Sequence, residues 1–174
     1  MYSVKELLLL RHAKSDWNVA ASDFERPLSK RGMRDAPRVG RWLHGQGLGP
    51  DFVISSPALR ARQTALAVCE AFGIGEDRIH WEARVYDAAL QTLWYLLTEC
   101  DQQAERVLLV GHNPGLALLL AQLCPTLESP SDGKILPTAT LARIRMPVDW
   151  RTLAPGSGVL LSVTRPSAMD ASPK

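Results

Sequence analysis

Apolar positions in this chain fall into two patterns, and the alternation between them outlines the fold. Val4 to Leu10 contains the unbroken run Leu7-Leu8-Leu9-Leu10, and Arg106 to Gly111 contains Val107-Leu108-Leu109-Val110. Short apolar runs bounded by polar residues read as strands buried on both faces, and they are too short to cross a membrane. Asp51 to Ser55 is a third strand of this kind, and Arg78 to Val85 alternates enough to read as another. Between the strands the spacing becomes helical. Val39, Trp42 and Leu43 stripe a segment that Ser29 can cap and that runs to Gly45, with Pro37 predicting a kink or a late start. Ala65, Leu66, Cys69 and Phe72 stripe a helix for which Ser56 is a cap and Pro57 the first residue. Leu90, Leu93, Trp94 and Leu97 stripe a third helix. Leu116, Leu119, Leu120 and Leu123 stripe a fourth, capped by Asn113 and opened by Pro114. After a Pro/Ser/Gly-rich loop from Pro125 to Pro137, Thr138 to Met146 and Gly158 to Thr164 read as the last strands.

Strands alternating with helices predict a three-layer α/β/α sandwich on a mostly parallel central sheet. A chain of 174 residues suits one domain, expected over 1–164, with 165–174 a disordered tail. The composition, 46% hydrophobic and 22% charged, is that of an ordinary soluble domain. A net charge of +2 is too mild to imply nucleic-acid or membrane partners. The N-terminus lacks a signal-peptide pattern, because Lys5 and Glu6 interrupt it. Cys69, Cys100 and Cys124 are an odd, widely spaced set and read as free core thiols of a cytoplasmic protein. The run Gly45-Gln46-Gly47-Leu48-Gly49 follows a helix rather than a strand and is no dinucleotide fingerprint.

The chemistry gathers where strands end, which is where open α/β sheets bind ligands. Arg11 and His12 follow the first run: arginine offers a planar fork for phosphate oxygens, and a neutral histidine offers a nucleophilic nitrogen. Ser15 and Asn18 add short donors in the same turn. Arg60 lies one turn into the helix after Ser55-Ser56-Pro57, and His112 follows the Arg106–Gly111 strand.

Three segments carry a resemblance. Arg11-His12-Ala13-Lys14-Ser15-Asp16-Trp17-Asn18, Ser56-Pro57-Ala58-Leu59-Arg60-Ala61-Arg62-Gln63-Thr64-Ala65 and Gly111-His112-Asn113-Pro114-Gly115 together resemble the histidine phosphatase superfamily, the phosphoglycerate mutase-like enzymes, in its SixA-like phosphohistidine phosphatase branch. The resemblance implies that His12 is the nucleophile and becomes phosphorylated. It implies that Arg11, Arg60 and His112 surround the phosphoryl group, and that Ser15 and Asn18 match phosphate-contacting positions of mutase-like members. The physics agrees, since phosphoryl transfer is mainly positioning and charge stabilisation, which two arginines and a histidine supply without metal. Neighbouring cations also favour an unprotonated His12. The proton donor stays open: Asp87, at the end of the strand expected over Arg78 to Val85, is the first choice, with Glu82 and Asp16 as alternatives.

Blander readings cover other residues. His44 and His80 are structural, and Arg62 is a solvated helix residue. Trp17 either stacks on substrate or packs over its loop, and Arg26 reaches the site or pairs with Asp23. No Cys or His pair has metal-ligand spacing, so no metal or cofactor is expected. The sequence thus predicts a monomeric phosphatase acting on a phosphoprotein, most simply protein phosphohistidine. The alternatives are a small-molecule phosphomonoesterase of the same superfamily and a silent phosphate-binding module, against which the presence of both His12 and His112 speaks.

Overall fold

The computed structural model describes residues 4–170. Strand β1 is Lys5–Arg11, and its leucines show why the run is unbroken. Leu7 and Leu9 enter one core while Leu8 and Leu10 enter the other, all four at 0% exposure. A strand covered on both faces has no polar side to alternate with. Strand β4, Arg106–Gly111, repeats this, with Val107 and Leu109 on one face and Leu108 and Val110 on the other.

The sheet has six strands in the order β3-β2-β4-β1-β5-β6, with β2 at Phe52–Ser55, β3 at Ile79–Trp81, β5 at Leu141–Met146 and β6 at Val159–Thr164. The first four are parallel, β5 adds antiparallel to β1, and β6 pairs antiparallel with β5. Helices α1 (Lys30–Gly45) and α2 (Leu59–Glu70) pack together on one face, and α3 (Leu90–Thr98) and α4 (Gly115–Leu123) pack together on the other. This is the expected three-layer α/β/α sandwich on a mostly parallel sheet. Gly40 allows the close approach of α1 to α2, since a Cβ there would lie 3.0 Å from the Val68 Cα. The segment between Asp87 and Arg106 is used by α3, whose Leu93, Leu96 and Leu97 are buried, so it forms core rather than a lid.

Several boundaries depart from expectation. Helix α1 starts on time at Lys30, with the Ser29 hydroxyl accepting from Gly32 N, and runs through Pro37. Helix α2 starts at Leu59, not Pro57: Ser56 N still bonds Val110 O along the sheet, and its hydroxyl accepts from Ala58 N. Helix α4 starts at Gly115 with Pro114 at its cap position, because the Asn113 amide is turned away to donate to Leu136 O. Strand β3 ends at Trp81 rather than Val85, as the Glu82 carboxylate accepts from Arg84 N and winds Ala83–Val85 into a 3-10 turn. The tail expected from Arg165 is packed at its start. Pro166–Ala168 form a 3-10 turn, Met169 is buried, and Asp170 pairs with Arg38 at 3.0 Å. The rest of that tail, 171–174, and residues 1–3 lie outside the described residues. All three cysteines are buried and free, and burial pushes the Cys69 thiol up to about 11 and the Cys100 thiol to about 12. Among the described residues, no helix is long and apolar enough to cross a membrane.

Candidate active site

Strand order assembles the site. Strands β1 and β4 are parallel neighbours in a register that pairs Arg11 with Gly111, so the next residues, His12 and His112, emerge side by side. His12 N donates to Gly111 O, and the two imidazole centroids are 5.1 Å apart. Strand β2 pairs with the other side of β4, Ser55 opposite Val110, which brings the start of α2 and Arg60 to the same rim. Thr64, fully buried one turn further on, ties the two parts together. Its hydroxyl donates to Arg60 O at 2.7 Å and accepts from Ala13 N at 3.0 Å.

His12 is 6% exposed, and its Nδ1 lies 2.7 Å from Ala13 O. A carbonyl can only accept, so Nδ1 carries the proton and Nε2 keeps the lone pair in the neutral ring. Nε2 faces Arg60 Nε at 3.4 Å. Burial, aided by His112, Arg60 and Arg11, pushes the His12 pKa down to about 3 against the opposing pull of its Ala13 hydrogen bond. Burial and then Arg60 push His112 down to about 4. Both rings are therefore neutral at pH 7. His112 Nε2 lies 2.8 Å from the Ser56 hydroxyl, which holds the ring edge-on to Tyr86. Arg11 donates to Leu136 O at 3.2 Å, and burial followed by the Arg60 charge lowers its pKa.

Beside the histidines lies a cavity of ≈ 370 Å³ lined by Arg60, His112, Asp23, Tyr86 and Asp87 among others. Two of its lining residues carry buried polar atoms with no hydrogen-bond partner among the described residues, His112 Nδ1 and Asn113 Oδ1, and Arg11 Nε, on the residue before His12, is a third such atom. Buried polar groups are nearly always satisfied, so orphans gathered at one cavity mark a place built for a polar ligand. No group of three His, Cys, Asp or Glu among the described residues could hold a metal ion.

The remaining predicted residues divide. Asp87 lines the cavity, exposed and with φ 53°, a left-handed conformation that Asp adopts more readily than most residues. Glu82 is held by Arg84 on another part of the surface, and Asp16 accepts from Asn18 N within its own turn; neither lines the cavity. Ser15 is buried, with its hydroxyl taken by Arg26 Nε at 3.0 Å, and Asn18 is exposed in the loop; these two do not line it either. Arg26 pairs with Asp23, and Trp17 stacks over the Arg26 guanidinium at 3.6 Å while staying 70% exposed. Arg62 turns to Glu76 and Trp81.

Asp23 is the residue that sequence reasoning undervalued. One carboxylate oxygen accepts from Arg26 at 2.5 Å, and the other accepts from the Tyr86 hydroxyl at 2.6 Å and from Arg60 at 3.2 Å. Its carbonyl accepts from Arg60 again at 2.6 Å. The Tyr86 and Arg26 hydrogen bonds hold its pKa well below the carboxylate range. It orients Arg60 from a loop 37 residues away. The only signal for this in the sequence is an acid in a polar loop, which says nothing about its partner.

Comparison with known proteins follows the same lines. The sequence profile of the Histidine phosphatase superfamily (branch 1) matches residues 7–85. An uncharacterised protein of Mycobacterium tuberculosis is 32% identical over 157 residues, covering 87% of this chain and 96% of its own. The phosphohistidine phosphatase SixA of Escherichia coli is 30% identical over 122 residues, covering 69% of this chain and 74% of its own. The structure of a Nakamurella multipartitia protein assigned to phosphohistidine phosphatase SixA superposes with a TM-score of 0.80 at 27% identity, covering 95% of this chain and 98% of that one.

Proposed function

This chain belongs to the histidine phosphatase superfamily and is a phosphatase of its SixA-like branch, and from that premise we propose that it dephosphorylates protein phosphohistidine through a covalent phosphate on His12. The observation that carries the reading is the His12 ring. Its Nδ1 proton is committed to Ala13 O, and its Nε2 lone pair is directed at Arg60 inside a cationic, water-poor corner. In the proposed reaction Nε2 attacks phosphorus in line, and the P–N bond to the substrate imidazole breaks. The electron pair leaves with that imidazole, which takes up a proton. Water then attacks the phosphorylated His12, releasing inorganic phosphate and the neutral ring.

Arg11, Arg60 and His112 are assigned to the phosphoryl oxygens, where charge spreads in the transition state. Arg11 Nε and His112 Nδ1 are the buried atoms free to take such a partner. Asp87 is assigned the leaving-group proton, because of the three acids considered it alone lines the cavity. Its exposure suits an undemanding role: exchange between two imidazoles breaks and makes similar P–N bonds, so little acid assistance is needed. The absence of a lid between Asp87 and Arg106 suits a phosphorylated residue on a protein surface.

The test compares kcat/KM on a phosphohistidine protein, an aryl phosphate and a sugar phosphate. The expected order is phosphohistidine, then aryl, then sugar. Asp87→Asn should damage the sugar phosphate reaction most, since general acid catalysis contributes about 10²–10⁴-fold where the leaving group is poor. Rapid quenching should trap phosphate on His12, and His12→Ala should be inactive yet folded. A preference for the sugar phosphate would favour a small-molecule phosphomonoesterase, and label on another residue would overturn the nucleophile assignment.

A further inference from the structure

A second cavity, of ≈ 430 Å³, opens beside the first. One hydrogen bond links the two: Leu136 O receives the side chain of Asn113, which lines the first cavity, and also that of Arg11, while Pro137, Thr138 and Thr140 line the second one. The opposite wall is α1, which presents Arg31, Arg34, Asp35 and Arg38 along one face at helical spacing. Lys134 and Arg165 complete the rim.

The charges do not cancel. Asp35, 5% exposed, anchors Arg31 at 3.4 Å and Arg38 at 3.2 Å, and Arg38 also meets Asp170. Arg165 grips Asp132 with both terminal nitrogens, at 2.7 and 3.0 Å. Arg34 and Lys134 form no salt bridge among the described residues, although the Lys134 charge helps to lower the pKa of Asp132, whose carboxylate Arg165 already holds. Five cations thus face three carboxylates, with Arg38 and Arg165 already held in place. Thr140 lines the cavity at 0% exposure, and its hydroxyl has no hydrogen-bond partner. Buried polar groups are nearly always hydrogen-bonded, so an unpartnered hydroxyl in the wall of a cationic cavity calls for a polar ligand there.

We propose that this cavity is a second, non-catalytic site for a small phosphate-bearing anion, held by Arg34, Lys134 and Arg38 with Thr140 behind it. Arginine forks on a preformed acidic support are the arrangement that recognises phosphate oxygens.

The test is an amide NMR titration of the full chain with inorganic pyrophosphate. Saturable shifts are expected at the Arg34 and Thr140 amides, separate from those at Arg60 and His112. The double variant Arg34→Ser/Lys134→Ser removes two exposed, unpaired cations and so should fold unchanged. It should weaken the Arg34–Thr140 response by about tenfold or more, the loss expected for charge-assisted contacts, while turnover of an aryl phosphate is retained. The proposal fails if pyrophosphate moves only the catalytic amides, or if the double variant responds like wild type. It also fails if an acidic peptide of equal charge saturates the site while pyrophosphate does not.

Discussion

At the scale of single residues, the site sets the buried His12, the proposed nucleophile, against cations that are themselves aimed. Arg60 meets His12 Nε2 on one side and is gripped by Asp23 through two atoms on the other. Arg60→Ala should therefore weaken vanadate binding by about one to two decades, the ~1.5–3 kcal/mol of a charge-assisted bond, and Arg60→Lys should recover only part because the fork is lost. Equal affinity in an equilibrium titration would place Arg60 outside the phosphoryl site. The protonation state of His12 gives a second expectation. With its pKa near 3, His12 stays neutral, and so competent for the proposed nucleophilic role, far below the usual histidine range. The acidic limb of kcat/KM should then lie well below pH 6.5, and a limb centred at 6.5 would contradict the burial argument.

At the scale of elements, local periodicity located the helices well and their first turns poorly. The stripe residues of α1, α3 and α4 face the core as spaced, but the starts of α2 and α4 shift by one or two residues. In both cases the expected cap is employed elsewhere: Ser56 by His112 and Asn113 by Leu136. The turn after β1 depends on α1 in a way the helix pattern does not display. A Cβ at Gly32 would sit 2.1 Å from Lys14 O, the same carbonyl that accepts from Ser29 N and from its hydroxyl. Gly32→Ala must displace the backbone two residues from His12. The expected cost is ~1–3 kcal/mol, a fall in Tm of roughly 2–12 °C for a chain of this size, with a loss of turnover. Met33→Ala, one residue along and 54% exposed, should leave both unchanged, and calorimetry with an activity assay distinguishes the two variants.

At the scale of the whole molecule, the cationic cluster links acid stability to the site. His12 and His112 have folded pKa values of about 3 and about 4 against 6.5 in the unfolded chain. Below 6.5 the unfolded state therefore binds more protons, so stability falls as pH drops from about 6.5 toward 4. That loss levels off once the folded rings also protonate. Asp23 acts in a lower window, since its carboxyl is depressed from 3.8 and its contribution is lost only as pH falls below that value. The slope of unfolding free energy between pH 6.5 and 4, measured with urea, should flatten in His12→Asn/His112→Asn. An unaltered slope would mean that the two rings protonate in the folded chain as they do in the unfolded one, against the burial argument.

What the sequence determined by itself was the order of the elements and the residues that end them. Leu7–Leu10 and Val107–Val110 can only be strands covered on both faces, and the basic residues following them are read directly from the chain. Three motifs in order were enough to indicate the family. Tertiary structure decided everything that depends on contact between distant segments. Parallel pairing of β1 with β4 sets His12 beside His112, across 100 residues of chain. The fold of the loop after β1 brings Asp23 to Arg60 and turns Ser15 toward Arg26 rather than toward the cavity. Which of Asp87, Glu82 and Asp16 lines the cavity was closed to the sequence, because strand alternation and turn signals do not say which way an acid near a strand end faces. What separates them is which partner captures each carboxylate, and Arg84 and the Asn18 amide are already committed to two. Apolar burial follows a local period and so can be read along the chain, whereas hydrogen-bond and charge partners are set by packing between elements, for which the local sequence carries no period.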